Sequence, residues 1–121
     1  MRQVACLAVL VALAAGCGGS GGPPVSVLGG DADRGKRLID HYGCGGCHTI
    51  PGIQDADARV GPSLADTSGK RFVAGRLPNT AESLERWIRE PQKISPGTLM
   101  PDLGVRPDEA RDIVAYLYGR T

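Results

Sequence analysis

The stretch GCGGCH, residues 43–48, places two cysteines three positions apart and a histidine directly after the second one. Outside the cytoplasm, such a pair is typical of redox disulfides, zinc half-sites and haem attachment points. A thioredoxin-type disulfide follows a strand of a parallel sheet, whereas a helical pattern precedes this motif. A tetrahedral zinc site needs four ligands. Beyond the motif, the chain after residue 16 offers only His41 and Cys17 and has no second pair of this kind.

Haem attachment uses every residue of the motif. Cys44 and Cys47 would form thioethers with the vinyl groups, and His48 would then be held under the iron as its proximal ligand. The two glycines between the cysteines are compatible with a tight attachment turn. We therefore interpret the motif as the covalent site of one haem c with its iron.

The opposite face of the iron needs a ligand from a distant part of the sequence. Met100 is the only methionine besides Met1, and it lies in SPGTLMP, residues 95–101, a loop rich in Pro and Gly. A lone methionine is often core filler. A rigid loop, however, is well suited to present a ligand, so we predict Met100 as the distal ligand. The other histidine, His41, lies three residues before Cys44 and should be on the wrong side of the ring.

Three helices are predicted around this site. The first covers residues 31–42 and is capped by Asp31, the second begins at Asn79 or Thr80 and ends before Pro91, and the third begins at Pro107. No segment shows the alternation of apolar and polar residues that is typical of a strand, although residues 60–64 and 71–75 are too short to be excluded as strands. Residues 49–79 form an unusually long connection that needs something to pack on. The fold class is therefore all-α, with long loops wrapped around the haem.

The N-terminus has the pattern of an export signal. Residues 1–16 contain one charge, Arg2, and an apolar run too short to span a bilayer. The approach to Cys17 resembles the lipobox of bacterial lipoproteins, which predicts a lipidated Cys17; the alternative is cleavage near Ala15 with a free thiol. Residues 17–30 form a flexible Gly/Ser/Pro tether, and residues 31–121 form the folded domain. The protein should therefore lie on the outer, periplasmic face of a bacterial membrane.

The charge of the domain excludes some partners. The chain has 14 Lys and Arg against 13 Asp and Glu, and loss of Arg2 with the signal leaves equal numbers. A neutral surface without a basic cluster gives no footprint for nucleic acid and only weak steering of charged partners. We expect a monomer that makes transient contacts with redox proteins.

From Asp31 to Thr121 the sequence resembles the class I c-type cytochromes with one haem. GKRLIDHYGCGGCH, residues 35–48, resembles the family's first helix and haem site. The resemblance implies that Gly35 and Ile39 pack against Ile113 and Tyr116 of the last helix. Gly35 would then serve a close helix crossing.

The same resemblance implies roles around the haem. Pro62 in VGPSL would accept the proton of the proximal histidine through its carbonyl, and Leu64 would form part of the haem wall. Trp87 would line the pocket near the methionine sulfur, although it can equally be core packing. Thr98 would reach a haem propionate, unless its hydroxyl only serves a turn. Water would be kept from the iron by Leu64, Trp87, Ile94, Leu99 and Tyr116.

Residues 76–101 also resemble the cytochrome c domain of bacterial terminal oxidase subunit II. An iron bound by His48 and Met100 has no open coordination site, which predicts a single-electron carrier and not an enzyme. The resemblance implies that the carrier serves a respiratory chain, with a terminal oxidase or a quinol-oxidising complex as its donor or acceptor. One alternative is a gas- or peroxide-reactive haem protein in which Met100 is labile. Another is a haem-free thiol oxidoreductase that uses Cys44 and Cys47.

Overall fold

The computed structural model describes residues 29–120. The predicted signal peptide, Cys17, the tether up to residue 28 and Thr121 lie outside the described residues. The described part of the tether already packs, because a Cβ at Gly30 would lie 2.6 Å from the carbonyl oxygen of Arg111. No helix within residues 29–120 combines the length and the apolar character needed to span a bilayer.

The regular secondary structure of the described chain is mostly helical, which confirms the predicted fold class. Its helices are α1 (Ala32–His41), α2 (Ala81–Arg89), α3 (Pro91–Ile94) and α4 (Pro107–Tyr118). Two short antiparallel strands, β1 (Phe72–Val73) and β2 (Leu77–Pro78), pair Phe72 with Pro78 and Val73 with Leu77. The three predicted helices are all present. The one-turn helix α3 and the strand pair were not predicted, because both are too short to show a period.

Local signals set the helix boundaries. The Asp31 carboxylate accepts a hydrogen bond from the Arg34 backbone N–H at 2.9 Å at the start of α1. The Thr80 hydroxyl accepts one from the Ser83 N–H at 3.1 Å at the start of α2. Both bonds satisfy donors that the first helical turn leaves free. At α4, Pro107 occupies the first turn, where its missing N–H costs nothing.

Helices α1 and α4 make the most extensive helix contact within residues 29–120. A Cβ at Gly35 would lie 1.9 Å from the backbone oxygen of Asp112 and 3.0 Å from the nitrogen of Ile113. Ile39, one turn later on α1, and Ile113 are both buried. Gly35 therefore permits the predicted close approach of the two backbones.

Helix α4 is the centre of the core. It packs against both α1 and α2. Its buried side chains include Ala110, Ile113, Val114 and Leu117. The core thus lies between the three longer helices, and the chain between α1 and α2 wraps around one side of it.

An ion-pair network joins the N-terminal ends of α1 and α4. The Arg34 guanidinium contacts Asp108 at 3.0 Å and Asp112 at 2.6 Å. The second carboxylate oxygen of Asp112 accepts the Asp31 backbone N–H at 2.8 Å. Asp112 is nearly fully buried, so these charge-assisted bonds satisfy a carboxylate that burial would otherwise destabilise.

Glu109 extends the network towards the end of α1. Its carboxylate accepts a hydrogen bond from the Tyr42 hydroxyl at 2.6 Å and one from the Arg106 backbone N–H at 3.1 Å. The Tyr42 bond, followed by the Arg106 bond, lowers the pKa of Glu109 below its ordinary value. The Asp108 pKa is lowered to about 2, mainly by hydrogen bonds from Arg106 and then Arg34.

These pKa shifts predict acid-sensitive stability. A carboxyl group whose pKa is lowered in the folded state stabilises the fold above its unfolded pKa, and this contribution is lost as the pH falls towards its folded pKa. For Asp108, the loss should run from its ordinary pKa of 3.8 down to about 2. The urea midpoint of the holoprotein should therefore fall between about pH 6 and about pH 3, and Asp108→Asn should reduce that difference. An equal pH dependence in the variant would contradict the assignment.

Candidate functional site

One cavity of about 690 Å³ is lined by most of the residues that the sequence analysis placed around the haem. Its volume is typical of ligand pockets, which range from about 300 to 1,000 Å³. The eight predicted site residues that line it are Cys44, Cys47, His48, Pro62, Leu64, Trp87, Thr98 and Met100. Residues from the ends of α1 and α2 and from the connecting loops therefore meet around one space.

The cysteine motif forms a tight turn directly after α1. Gly43 has φ +68° and so adopts a left-handed conformation that favours glycine. A single 3₁₀ turn follows over Cys44–Gly46, and the His48 N–H donates to the Cys44 carbonyl at 3.0 Å. Both thiols thereby come to the cavity wall.

The environment of Cys44 disfavours thiol redox chemistry. Its side chain is partly buried, and this burial raises the pKa of the thiol above its ordinary value. A redox-active cysteine of this motif type has a lowered pKa instead, because the thiolate is the reactive form. The described residues also contain no cluster of three or more His, Cys, Asp or Glu side chains that could hold a metal ion by themselves.

The His48 ring has a defined tautomer. Its Nδ1 lies 2.7 Å from the backbone oxygen of Pro62, which can only accept a hydrogen bond. Nδ1 must therefore carry the proton and donate it, which leaves the Nε2 lone pair free in the neutral ring. Such a contact fixes the orientation of a metal-binding histidine. The Pro62 contact is the one implied by the family resemblance.

Gly61 is a site residue that the sequence analysis missed. A Cβ at this position would lie 2.4 Å from Cε1 of the His48 ring and 2.7 Å from Nδ1. The Gly61 N–H also donates to the Cys47 carbonyl at 2.8 Å. The glycine before Pro62 therefore leaves space for the ring. The only signal in the sequence was its place in the VGPSL stretch.

Asn79 ties the loop on one side of the cavity to α4. Its Nδ2 donates to the Thr67 carbonyl at 2.8 Å and to the Lys70 carbonyl at 2.7 Å. Its Oδ1 accepts a hydrogen bond from the Tyr118 hydroxyl at 2.7 Å. Asn79 lines the cavity, so these bonds position part of the wall. This role was also missed, since nothing local marks an asparagine that bonds residues distant in sequence.

The remaining predicted residues lie on the cavity in different ways. Trp87 lines it and also packs against the buried core, so the pocket and core interpretations hold together. Leu64 lines the wall, and its N–H donates to the Thr49 carbonyl at 2.9 Å. The Thr98 N–H donates to the Ser95 carbonyl at 3.0 Å and closes a turn, and Thr98 is one of the residues that line the cavity.

Two predictions about the packing around the iron were wrong. Ile94 and Tyr116 are not among the residues that line the cavity. The Tyr116 ring is buried against the core, and its hydroxyl donates to the Pro51 carbonyl at 2.9 Å. The family resemblance placed Tyr116 on the face of α4 that meets α1, and that face extends beyond the cavity wall.

The rim of the cavity is apolar and exposed. The four large hydrophobic residues that stand out as exposed all line this cavity: Val60, Phe72, Leu99 and Leu103. The deeper wall includes buried Leu84, Ile88 and Val105. A covalently attached haem requires two thiols at one edge, an imidazole with a free Nε2, a thioether and apolar walls. The cavity offers all of these groups. The residues present therefore fit this cofactor.

Comparison with known proteins agrees with this fit. Residues 32–120 match the protein family described as Cytochrome c. The chain is 35% identical over 89 residues to cytochrome c oxidase subunit 2 of Alkalihalophilus pseudofirmus, covering 71% of this chain and 25% of the subunit. It is 32% identical over 103 residues to cytochrome c of Euglena viridis, covering 73% of this chain and 95% of that protein. It is 35% identical over 106 residues to cytochrome c2 of Rhodopila globiformis, covering 73% and 92%.

The two kinds of relative differ in how much of them this chain covers. It spans only about a quarter of the oxidase subunit but nearly all of the small cytochromes. The match covers α1, the attachment turn, the cavity and α4, so the likeness and the site coincide. The chain therefore belongs to the cytochrome c family and carries covalently bound haem c.

Proposed function

We propose that this protein is a single-electron carrier in which His48 and Met100 bind the iron of one haem c attached through Cys44 and Cys47. Members of its family are haem-based electron carriers. The assignment of the two iron ligands rests on one observation. Both cysteines of the motif, His48 and the only methionine of residues 29–120 line the same cavity.

The chain's own residues would prepare the iron site in two ways. The Pro62 carbonyl holds the proton on Nδ1 of His48, which keeps Nε2 available as a ligand. Met100 offers a neutral thioether, which favours the ferrous state and so raises the reduction potential. The haem iron, when bound, supplies a one-electron couple between its ferric and ferrous states.

A closed iron site distinguishes a carrier from a gas- or peroxide-reactive protein. With ligands from both His48 and Met100, no coordination position is left for a small molecule. We therefore propose that the chain is not itself an enzyme. The alternative with a labile Met100 makes the opposite prediction, because an exogenous ligand would then enter quickly.

The test uses the holoprotein made in a periplasm that contains haem-maturation machinery. When the reduced protein is rapidly mixed with a soluble one-electron oxidant, each haem should transfer one electron to the oxidant. Mixing the same protein with carbon monoxide should leave its spectrum unchanged on the time scale of that oxidation. Rapid carbon monoxide binding, or multiple turnovers with peroxide, would reject the carrier function in favour of the reactive alternative.

We propose redox proteins as partners, with a terminal oxidase or a quinol-oxidising complex as the leading candidates. One relative is a subunit of cytochrome c oxidase. The apolar cavity rim of Val60, Phe72, Leu99 and Leu103 and the balanced charge of the domain suit short-lived contacts of modest area. We propose a monomer in solution and no nucleic-acid partner.

We further propose that the protein is exported and held at the outer face of a bacterial membrane by a lipid on Cys17. The support is the sequence pattern of residues 1–30. In cells, the full chain should fractionate with membranes, and Cys17→Ser should release it into the soluble periplasmic fraction. A Cys17→Ser protein that stays with the membranes would argue for a different anchor.

A further inference from the structure

Gln92 lies on α3, which is anchored to the core. Its neighbour Pro91 is among the largest fully buried side chains of the described residues. Helix α3 also packs against α2. The backbone at residue 92 is therefore held firmly on the core side, while its side chain is only partly buried and extends towards the loop that follows.

The Gln92 side chain makes three hydrogen bonds to that loop. Its Nε2 donates to the backbone oxygens of Thr98 and Met100, both at 2.8 Å. Its Oε1 accepts the N–H of Gly97 at 3.2 Å. An amide side chain offers two N–H donors and an acceptor oxygen, so this residue uses both kinds of group on one short segment.

The loop has few other attachments. Leu99, directly before the methionine, is 84% exposed, so packing does little to hold Leu99 in place. Pro96 and Pro101 have no N–H to donate. Within residues 29–120, the bond to Gln92 is the only hydrogen bond described for the backbone of Met100, and the Thr98 N–H bond to Ser95 is a local turn. The Met100 side chain packs against the core, whereas its backbone is held by the hydrogen bond from Gln92.

We propose that Gln92 is a positioning residue that holds Met100 ready for the iron, an inference that rests on the proposed ligation by Met100. A thioether is a neutral ligand on a flexible side chain with several rotatable bonds. Its hold on a metal depends on how much freedom must be lost when it binds. Because Gln92 fixes the loop beforehand, it reduces that loss and makes the methionine a harder ligand to displace.

Gln92→Glu is the sharpest test because the two side chains have nearly the same shape. The variant keeps an acceptor for the Gly97 N–H but turns a carboxylate oxygen towards two backbone oxygens. We expect imidazole to displace the methionine from the ferric holoprotein at roughly 10- to 100-fold lower concentration, as the loss of one or two hydrogen bonds predicts. The weak far-red sulfur-to-iron absorption band reports the displacement directly.

Two further variants distinguish the clamp, that is, the hydrogen bonds from Gln92 to the backbone of residues 97–100, from nonspecific effects. Lys93→Gln alters the next residue of α3, which is exposed and pairs with Glu90 at 2.7 Å, and should leave imidazole affinity unchanged. Gln92→Ala removes the acceptor as well, so the Gly97 amide should exchange its hydrogen at least about tenfold faster. In Gln92→Glu that amide should remain protected.

The outcomes for ligation and clamp are distinguishable. An intact band in the wild type together with unchanged imidazole affinity in both Gln92 variants would overturn the clamp and leave the proposed carrier function standing. A wild-type protein without the band, spectrally identical to Met100→Ala, would overturn the ligation and the clamp with it.

Discussion

Gly35→Ala should destabilise the holoprotein by about 2–4 kcal/mol, although alanine is the better helix former. In an exposed helix interior the same change would stabilise by roughly 1 kcal/mol. Here the new Cβ would lie 1.9 Å from the backbone oxygen of Asp112. Backbone cannot rotate away as a side chain can, so α1 and α4 must separate. Thermal unfolding followed by helical circular dichroism should show a midpoint lower by roughly 10–25 °C.

A matched substitution on the same helix tests the cause of that loss. Lys36 is the next residue and is exposed, so Lys36→Ala should change the unfolding midpoint by only a few degrees. Neither variant removes a buried apolar side chain. A Gly35→Ala protein that melts at or above the wild-type temperature would show that the two helices do not cross as closely as described.

Met100→Ala should remove the far-red sulfur-to-iron band and lower the reduction potential. Loss of the thioether withdraws the ligand that favours ferrous iron. A fall on the order of 0.1 V is expected within the roughly 0.8 V range that axial ligands span. The variant should also bind carbon monoxide or imidazole readily. A spectroelectrochemical titration of wild type and variant measures the band and the potential together.

Leu99→Ala is the matched control for this experiment. Leu99 lies in the same loop and on the same cavity rim, but its side chain is mostly exposed. The variant should keep the band and shift the potential far less than Met100→Ala does. An unchanged potential in Met100→Ala would mean that another group, or water, occupies the distal side of the iron.

The helices were predictable because their signals are local. Asp31 and Thr80 cap the first turns, and Pro91 and Pro107 mark positions where a helix must end or begin. The haem motif was predictable for the same reason, since thioether attachment and proximal ligation demand neighbouring residues. Cys44, Cys47 and His48 lie in one turn of the chain and need no distant partner to be recognised.

The part of the site outside the attachment motif was predictable only in part. Met100 was found because the chain has no other methionine after the first residue and because its loop is rich in proline and glycine. Gly61, Asn79 and Gln92 were not assigned their roles. Each acts through residues that are adjacent in space or bonded through the backbone, and such contacts leave no periodic pattern in the sequence.

The sequence by itself determined the fold class, the attachment turn and the ends of the three longer helices, because each depends on residues within a few positions of one another. Only the tertiary structure decided which residues hold the ligands in place. The His48 ring fits because Gly61 has no side chain, and the methionine loop is bonded by Gln92 on an anchored helix. These arrangements depend on close approach of separate segments, which packing of the whole domain creates.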